Sequence, residues 1–148
     1  MEMTEFDKVF IDTAPYIYLL ERNDTFFEKT EDFFVYCIDS QKKLVTSTVT
    51  VEEFSVGPYK NDDKKLIDDF HSFLLDTFTT VLNIDESIAD EAAKIRANHS
   101  GFKGMDALQL ASAKVAGCDL FLTNDKRLKQ FTDLKVMTIE EMLQSFRQ

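Results

Sequence analysis

The chain predicts an α/β fold: a single three-layer α/β/α domain on a mainly parallel five-stranded sheet. Three observations lead there. Short apolar runs rich in β-branched and aromatic residues alternate with longer segments of helical apolar spacing. Strands that alternate with helices form a parallel sheet covered on both faces. The 148 residues are 44% hydrophobic and 30% charged, with four Gly and two Pro, which suits one domain with its own core and no long linker.

The elements follow in order. Lys8-Val9-Phe10-Ile11 is a short apolar run that reads as a buried strand ending at Asp12. Thr13-Ala14-Pro15 then starts a helix, with Thr13 as N-cap and Pro15 in the first turn, and the helix continues over 16–21. Residues 25–40 form a second helix with an aromatic face of Phe26, Phe27, Phe33, Phe34 and Ile38, which we assign to the core. Residues 44–49 are rich in β-formers. Thr50 to Phe54 opens a helix that Gly57-Pro58 breaks. Residues 64–78 place Leu66, Phe70, Phe73, Leu74 and Phe78 on one helical side. A strand over 80–84 and an amphipathic helix over 86–99, carrying Ile88, Ala92 and Ile95, come next. A small-residue helix spans 105–116, and Gly117 stops it. A strand at 120–123, a short helix at 126–131, a last strand at 135–138 and a last helix at 139–146 complete the reading.

Composition excludes several function classes. No apolar run approaches the roughly 20 residues of a membrane helix. The N-terminus, Met1-Glu2-Met3-Thr4-Glu5, is acidic and lacks a signal core, so we expect a cytoplasmic protein. Cys37 and Cys118 make no metal-ligand spacing and read as reduced thiols. The formal net charge of −10 argues against broad electrostatic binding of nucleic acid. It leaves room for a nuclease whose acidic site contributes part of that charge.

Four carboxylates stand where strands end or helices begin: Asp12, Glu53, Asp106 and Asp125. Sites in open parallel sheets form beyond the carboxyl ends of the strands. Asp12 and Asp125 follow such ends, and Glu53 and Asp106 fall in first helical turns at the same edge. Each acid also has a plain structural role. Asp12 and Asp125 suit helix caps. Thr50-x-x-Glu53 matches a capping box. Asp106 suits the positive end of a helix dipole. It is the combination that points to chemistry. Four like charges in a small volume need a compensating cation, and hard Mg²⁺ or Mn²⁺ ions take oxygen ligands. Metal-assisted phosphodiester cleavage is the chemistry such a cluster serves. Glu52 competes with Glu53 but projects about 100° away on the same helix. Asp119 precedes its strand, at the opposite sheet edge, and reads as structural. His71 and His99 read as surface residues.

These segments resemble the PIN-domain family, and within it the toxin ribonucleases of VapBC type. The matching stretches are Phe10-Ile11-Asp12-Thr13 followed by Tyr16-Ile17-Tyr18-Leu19-Leu20-Glu21; Ser47-x-x-Thr50-x-x-Glu53-Phe54; Asp106-Ala107-Leu108-Gln109-Leu110-Ala111-x-Ala113; and Leu122-Thr123-Asn124-Asp125-Lys126-Arg127-Leu128. They span nearly the whole chain in the family's order. The resemblance implies one PIN-like nuclease domain over 1–148, a sheet ordered 3-2-1-4-5, and a Mg²⁺- or Mn²⁺-dependent endoribonuclease that uses metal-activated water. It carries the catalytic and metal-binding roles onto Asp12, Glu53, Asp106 and Asp125. Thr123 and Thr13 would support them. Lys103, Lys126 and Arg127 are candidate contacts to substrate phosphates, with surface solvation the plainer role for each. An RNA substrate, an antitoxin protein and a homodimer are the implied partners. The low pI departs from the basic character of an RNA binder.

Two other readings compete. A phosphohydrolase with an aspartyl nucleophile at Asp12 needs a second acid two residues on, where Ala14 stands. A PIN-like interaction module would keep an acidic pocket without catalysis and offer its Phe-rich helix faces to a partner.

Overall fold

The computed structural model describes residues 5–146, so the acidic N-terminal reading lies largely outside the described residues. Five strands, β1 (Lys8–Ile11), β2 (Lys43–Ser47), β3 (Thr80–Leu82), β4 (Leu120–Thr123) and β5 (Lys135–Thr138), form one sheet ordered β3-β2-β1-β4-β5. Every neighbouring pair is parallel. All strand carboxyl ends therefore lie at one edge. The helices are α1 (Thr13–Leu20), α2 (Phe27–Asp39), α3 (Thr48–Lys60), α4 (Lys64–Asp76), α5 (Glu86–Asn98), α6 (Gly104–Val115) and α7 (Ile139–Phe146), with a 3₁₀ helix at Lys126–Gln130.

Alternation along the strands builds a core on each face. Val9, Ile11, Leu44, Leu120 and Leu122 pack with Tyr16, Phe33, Phe34, Phe54, Phe70 and Leu74 on one face. Phe10, Val45, Phe121 and Val136 pack with α5 and α6 on the other. Phe10 and Phe121, paired in register, stack with ring centroids 5.2 Å apart. On the first face, Tyr16 meets Phe34 and Phe70 edge or tilted, and Phe54 stacks on Phe70 at 4.1 Å. The aromatic faces of the second and fourth helices are thus consumed by the core. What they leave outside is Ile38 and Leu75, together with Phe78 beyond the end of α4. This leaves the interaction-module reading with Ile38, Leu75 and Phe78 rather than the whole of the Phe-rich faces.

Several local expectations are corrected. Asp12, not Thr13, caps α1, and Thr13 is its first residue. Helix α3 starts at Thr48 with Ser47 as N-cap, and it runs through Gly57-Pro58. Glycine before proline removes the Cβ clash that normally forbids helical geometry there, and the lost ladder bond falls in the last turn. His99 is half-buried, stacked on Phe102 at 5.0 Å with Phe131 edge-on, whereas His71 is exposed. Both cysteines are free and buried, and burial pushes each thiol up to about 12, so neither supplies a thiolate near neutral pH. No helix among the described residues is long and apolar enough to cross a membrane.

Helix ends carry a stability prediction. Gly117 follows α6 at φ +72, where an added Cβ would meet nothing within 4 Å. Phe78 holds the same left-handed position after α4, at φ 54, with its ring 91% exposed. An L side chain there costs backbone energy that glycine avoids. Gly117→Ala is expected to lose about 1 kcal/mol, and Phe78→Gly to gain up to about 1 kcal/mol, in urea denaturation. A Phe78→Gly protein less stable than wild type would contradict this account.

Candidate functional site

At the carboxyl edge of the sheet, a pocket of about 380 Å³ is lined by Asp12, Thr13, Ala14, Ile17, Glu53, Met105, Asp106, Gln109, Asp125 and Leu128. All four singled-out acids are in it, and Glu52 is not. A larger cleft of about 770 Å³ lies at the opposite edge, where strands begin, and holds none of the four.

Asp12 anchors the site. Its backbone N–H continues the sheet by donating to the Leu122 carbonyl. Its Oδ1 accepts from the Thr13 amide at 2.9 Å and from Gln109 Nε2 at 3.3 Å, and its Oδ2 accepts from the Thr123 hydroxyl at 2.8 Å. Burial raises its pKa above the ordinary aspartate value, and the Glu53 carboxylate adds to the rise. The three donated hydrogen bonds oppose it without cancelling it.

Glu53 and Asp125 are tied to this anchor through two threonines, and Asp106 is held separately. Thr13 Oγ1 donates to Glu53 Oε1 at 2.7 Å. Glu53 lies in the second turn of α3, so the expected capping box with Thr50 gives way to a contact between helices. Thr123 Oγ1 accepts from the Asp125 amide at 3.0 Å while it donates to Asp12, bridging the first acid and the fourth. Asp106, in the first turn of α6, accepts from the Lys103 amide at 3.1 Å. Asp125 caps the 3₁₀ helix through the Arg127 amide. For Asp12, Asp106 and Asp125, capping and pocket placement hold together.

Of the candidate phosphate contacts, Arg127 departs most from expectation. Its guanidinium lies on Asp125, with Nη2–Oδ2 at 2.5 Å, and Nη2 also reaches Asp106 Oδ2 at 3.5 Å. That contact holds the Asp125 carboxyl below the usual aspartate range. Lys126 is exposed beside a shallow groove it shares with Phe26, Asn124, Asp125 and Arg127. Lys103 is exposed at the start of α6. Asp119 stands apart at the far edge, where Oδ2 accepts from the Asp7 and Lys8 amides at 2.9 and 3.0 Å. These donors hold its carboxyl low and mark it as structural.

Sequence reasoning gave Gln109 no role of its own. It is buried, donates to Asp12 and to Thr50 Oγ1 (2.7 Å), and accepts from the Ser47 hydroxyl. One amide therefore ties the end of β1, the start of α3 and α6 together. The available signal was a polar residue on the buried side of α6, between Ala107 and Leu110–Ala113.

The donor chemistry fits a hard divalent cation: the acids offer carboxylate oxygens only, and burial, with Glu53 adding to it, disfavours the charged form of Asp12. Among the described residues, no three Asp, Glu, His or Cys side chains converge closely enough to hold one ion as they stand.

Comparison with known proteins places this geometry. The chain is similar in structure to a DNA-bound VapBC from Salmonella typhimurium, with a TM-score of 0.72 at 19% identity over 89% of this chain and 98% of the other. It is similar to FitAcB from Neisseria gonorrhoeae, with a TM-score of 0.70 at 21% identity over 89% and 98%. It is also similar to a sarcin-ricin-loop-cleaving toxin from Mycobacterium tuberculosis, with a TM-score of 0.66 at 15% identity over 82% and 93%. Identities of this size speak for the fold alone. No curated protein matches the chain significantly. The PIN domain family model matches residues 9–134, most of the sequence, and the chain belongs to that family.

Proposed function

We propose that the protein is a Mg²⁺- or Mn²⁺-dependent endoribonuclease of the toxin type. The observation that carries this reading is the meeting of Asp12, Glu53, Asp106 and Asp125 in one pocket, where Thr13, Thr123 and Gln109 hold Asp12, Glu53 and Asp125 in place. Membership of the PIN family, and structural similarity to a toxin whose title names sarcin-ricin loop cleavage, support it. When bound, the cation would offset the carboxylate charge and polarise the scissile phosphate and the attacking water.

The chain's own residues do the rest. Asp12 and Asp106 would hold the ion with Glu53, and Asp125 would complete the site. Thr13 and Thr123 fix the orientation of the acids through their hydroxyls. Met105 and Ile17 give the pocket apolar walls. Lys103 and Lys126, both exposed near the acids, would meet substrate phosphates, which offsets the repulsion from a chain of net charge −10. An antitoxin partner, a homodimer and a cytoplasmic setting belong to this proposal. Structural neighbours include a Klebsiella pneumoniae toxin–antitoxin complex.

The test is calorimetric titration of Mn²⁺ into wild type and Asp106→Asn, followed by cleavage of structured RNA. Wild-type binding that vanishes in the variant, together with metal-dependent cleavage, is the expected result. A folded wild type that neither binds Mn²⁺ nor cuts RNA would favour the interaction module. That alternative draws its support from Arg127, which already offsets part of the acidic charge.

A further inference from the structure

We infer that Arg127 is a built-in counter-cation: it keeps Asp125 and Asp106 paired until a divalent ion displaces it. The inference rests on the metal-site reading above and concerns how that site fills.

An ionised carboxylate offers about four lone-pair positions. At Asp125, Oδ1 accepts from the Arg127 amide (3.0 Å) and Nε (3.1 Å), and Oδ2 accepts from Nε (3.2 Å) and Nη2 (2.5 Å). Three N–H groups of Arg127, with the Nε–H shared between the two oxygens, therefore face both oxygens of Asp125. The same Nη2 lies 3.5 Å from Asp106 Oδ2, whose other contact is the Lys103 amide. A dication approaching Asp125 meets the positive fork on both oxygens, so ion and guanidinium compete for the same carboxylate.

The arrangement is suited to exchange. Arg127 follows Asp125 by two residues in a short 3₁₀ helix, and its side chain is 49% exposed, so it has open water to swing into. An exposed ion pair of this kind is weak and screened by salt, which makes it easy to displace. Among the described residues, Asp12 and Glu53 have no such partner: Asp12 is held by Thr13, Gln109 and Thr123, and Glu53 by Thr13. The neutralising cation is thus confined to the Asp106–Asp125 side of the pocket. Once displaced, the guanidinium stays beside the groove it lines with Lys126, where it can pair with a phosphate of the substrate.

The experiment is Mn²⁺ titration by calorimetry into wild type, Arg127→Gln and Arg127→Lys at low ionic strength, with Asp106→Asn as the non-binding control. Removing a competing cation should tighten Mn²⁺ binding in Arg127→Gln by up to roughly five-fold, the scale of a lost exposed ion pair. Arg127→Lys keeps the charge without the fork and should fall between the two, which leaves the inference testable if the glutamine variant does not fold. A wild type that binds Mn²⁺ and a Gln variant that binds equally or more weakly overturn the inference alone. Absence of binding in every variant overturns it together with the metal site. Binding by Arg127→Gln where wild type shows none supports it.

Discussion

Asp12→Asn is expected to abolish metal-dependent RNA cleavage and, at neutral pH, to make the metal-free protein more stable. The loss of activity follows from removing the anchor of the acidic cluster. A charged group placed to stabilise a transition state is worth roughly 100-fold or more in rate, and a metal ligand at least as much. The gain in stability follows from the same burial. Asparagine caps a helix as well as aspartate does, so α1 keeps its N-cap. What disappears is the cost of an ionised carboxyl removed from water and facing Glu53.

The sign can be followed through pH. The folded-state pKa of Asp12 lies above the unfolded value of 3.8. Between those two values the unfolded chain has released its proton and the folded chain retains it. Stability from this group is therefore fully present below 3.8, declines as pH rises through the folded pKa, and stays lower above it. Asp125 and Asp119 have lowered values and contribute in the opposite direction, losing stability as pH falls. The difference between wild type and variant isolates Asp12. Urea denaturation of both from pH 4 to pH 8 should give a gap in favour of Asn that widens with pH. A variant less stable at pH 7, with a gap independent of pH, would show that the hydrogen bonds of Asp12 outweigh its desolvation.

Gln109→Leu is expected to cost about 2–4 kcal/mol of stability and to weaken Mn²⁺ binding as well. The Gln109 residue is 2% exposed, and Ser47 and Thr50, its partners on the α3 side, are fully buried. Leucine fills similar space but leaves both hydroxyls short of a partner, at roughly 1–3 kcal/mol for each buried group left unsatisfied. Ser47 is also the N-cap of α3 through the Val49 amide, so its displacement loosens the start of the helix that carries Glu53. Asp12 loses one donor at the same time. Denaturation midpoints and Mn²⁺ titration measure the two effects. A variant within about 0.5 kcal/mol of wild type would mean that water replaces the amide without penalty.

Much of the architecture was legible before any coordinates. The strands at residues 120–123 and 135–138 were read with their observed bounds, because Leu120–Thr123 and Lys135–Thr138 are β-rich runs set off by turn residues. The start of α3 was not legible. Thr48 and Val49 have strong β preference, and only the Ser47 cap and the packing of Val49 and Phe54 draw them into a helix. Gly57-Pro58 reads as a break under any local rule, yet Pro58 is buried within the last turn of α3.

The same division runs through the site. The sequence by itself determined the α/β order, and with it that Asp12 and Asp125 follow strands at the carboxyl edge, with Asp106 at a helix start beside them. Those are consequences of periodicity and of parallel strand direction. The tertiary structure alone decided who holds each acid: Thr13 for Glu53, Thr123 for Asp12 and Asp125, Gln109 across β1, α3 and α6, and Arg127 on Asp125 and Asp106. Most of these contacts join residues 40 to 111 positions apart, where local pattern carries no information. Arg127 is the instructive exception: only two residues from Asp125, it reads from the sequence as a solvated surface residue or a phosphate contact. Its fork closes on Asp125, and the same Nη2 also reaches Asp106, which α6 brings from 21 positions away.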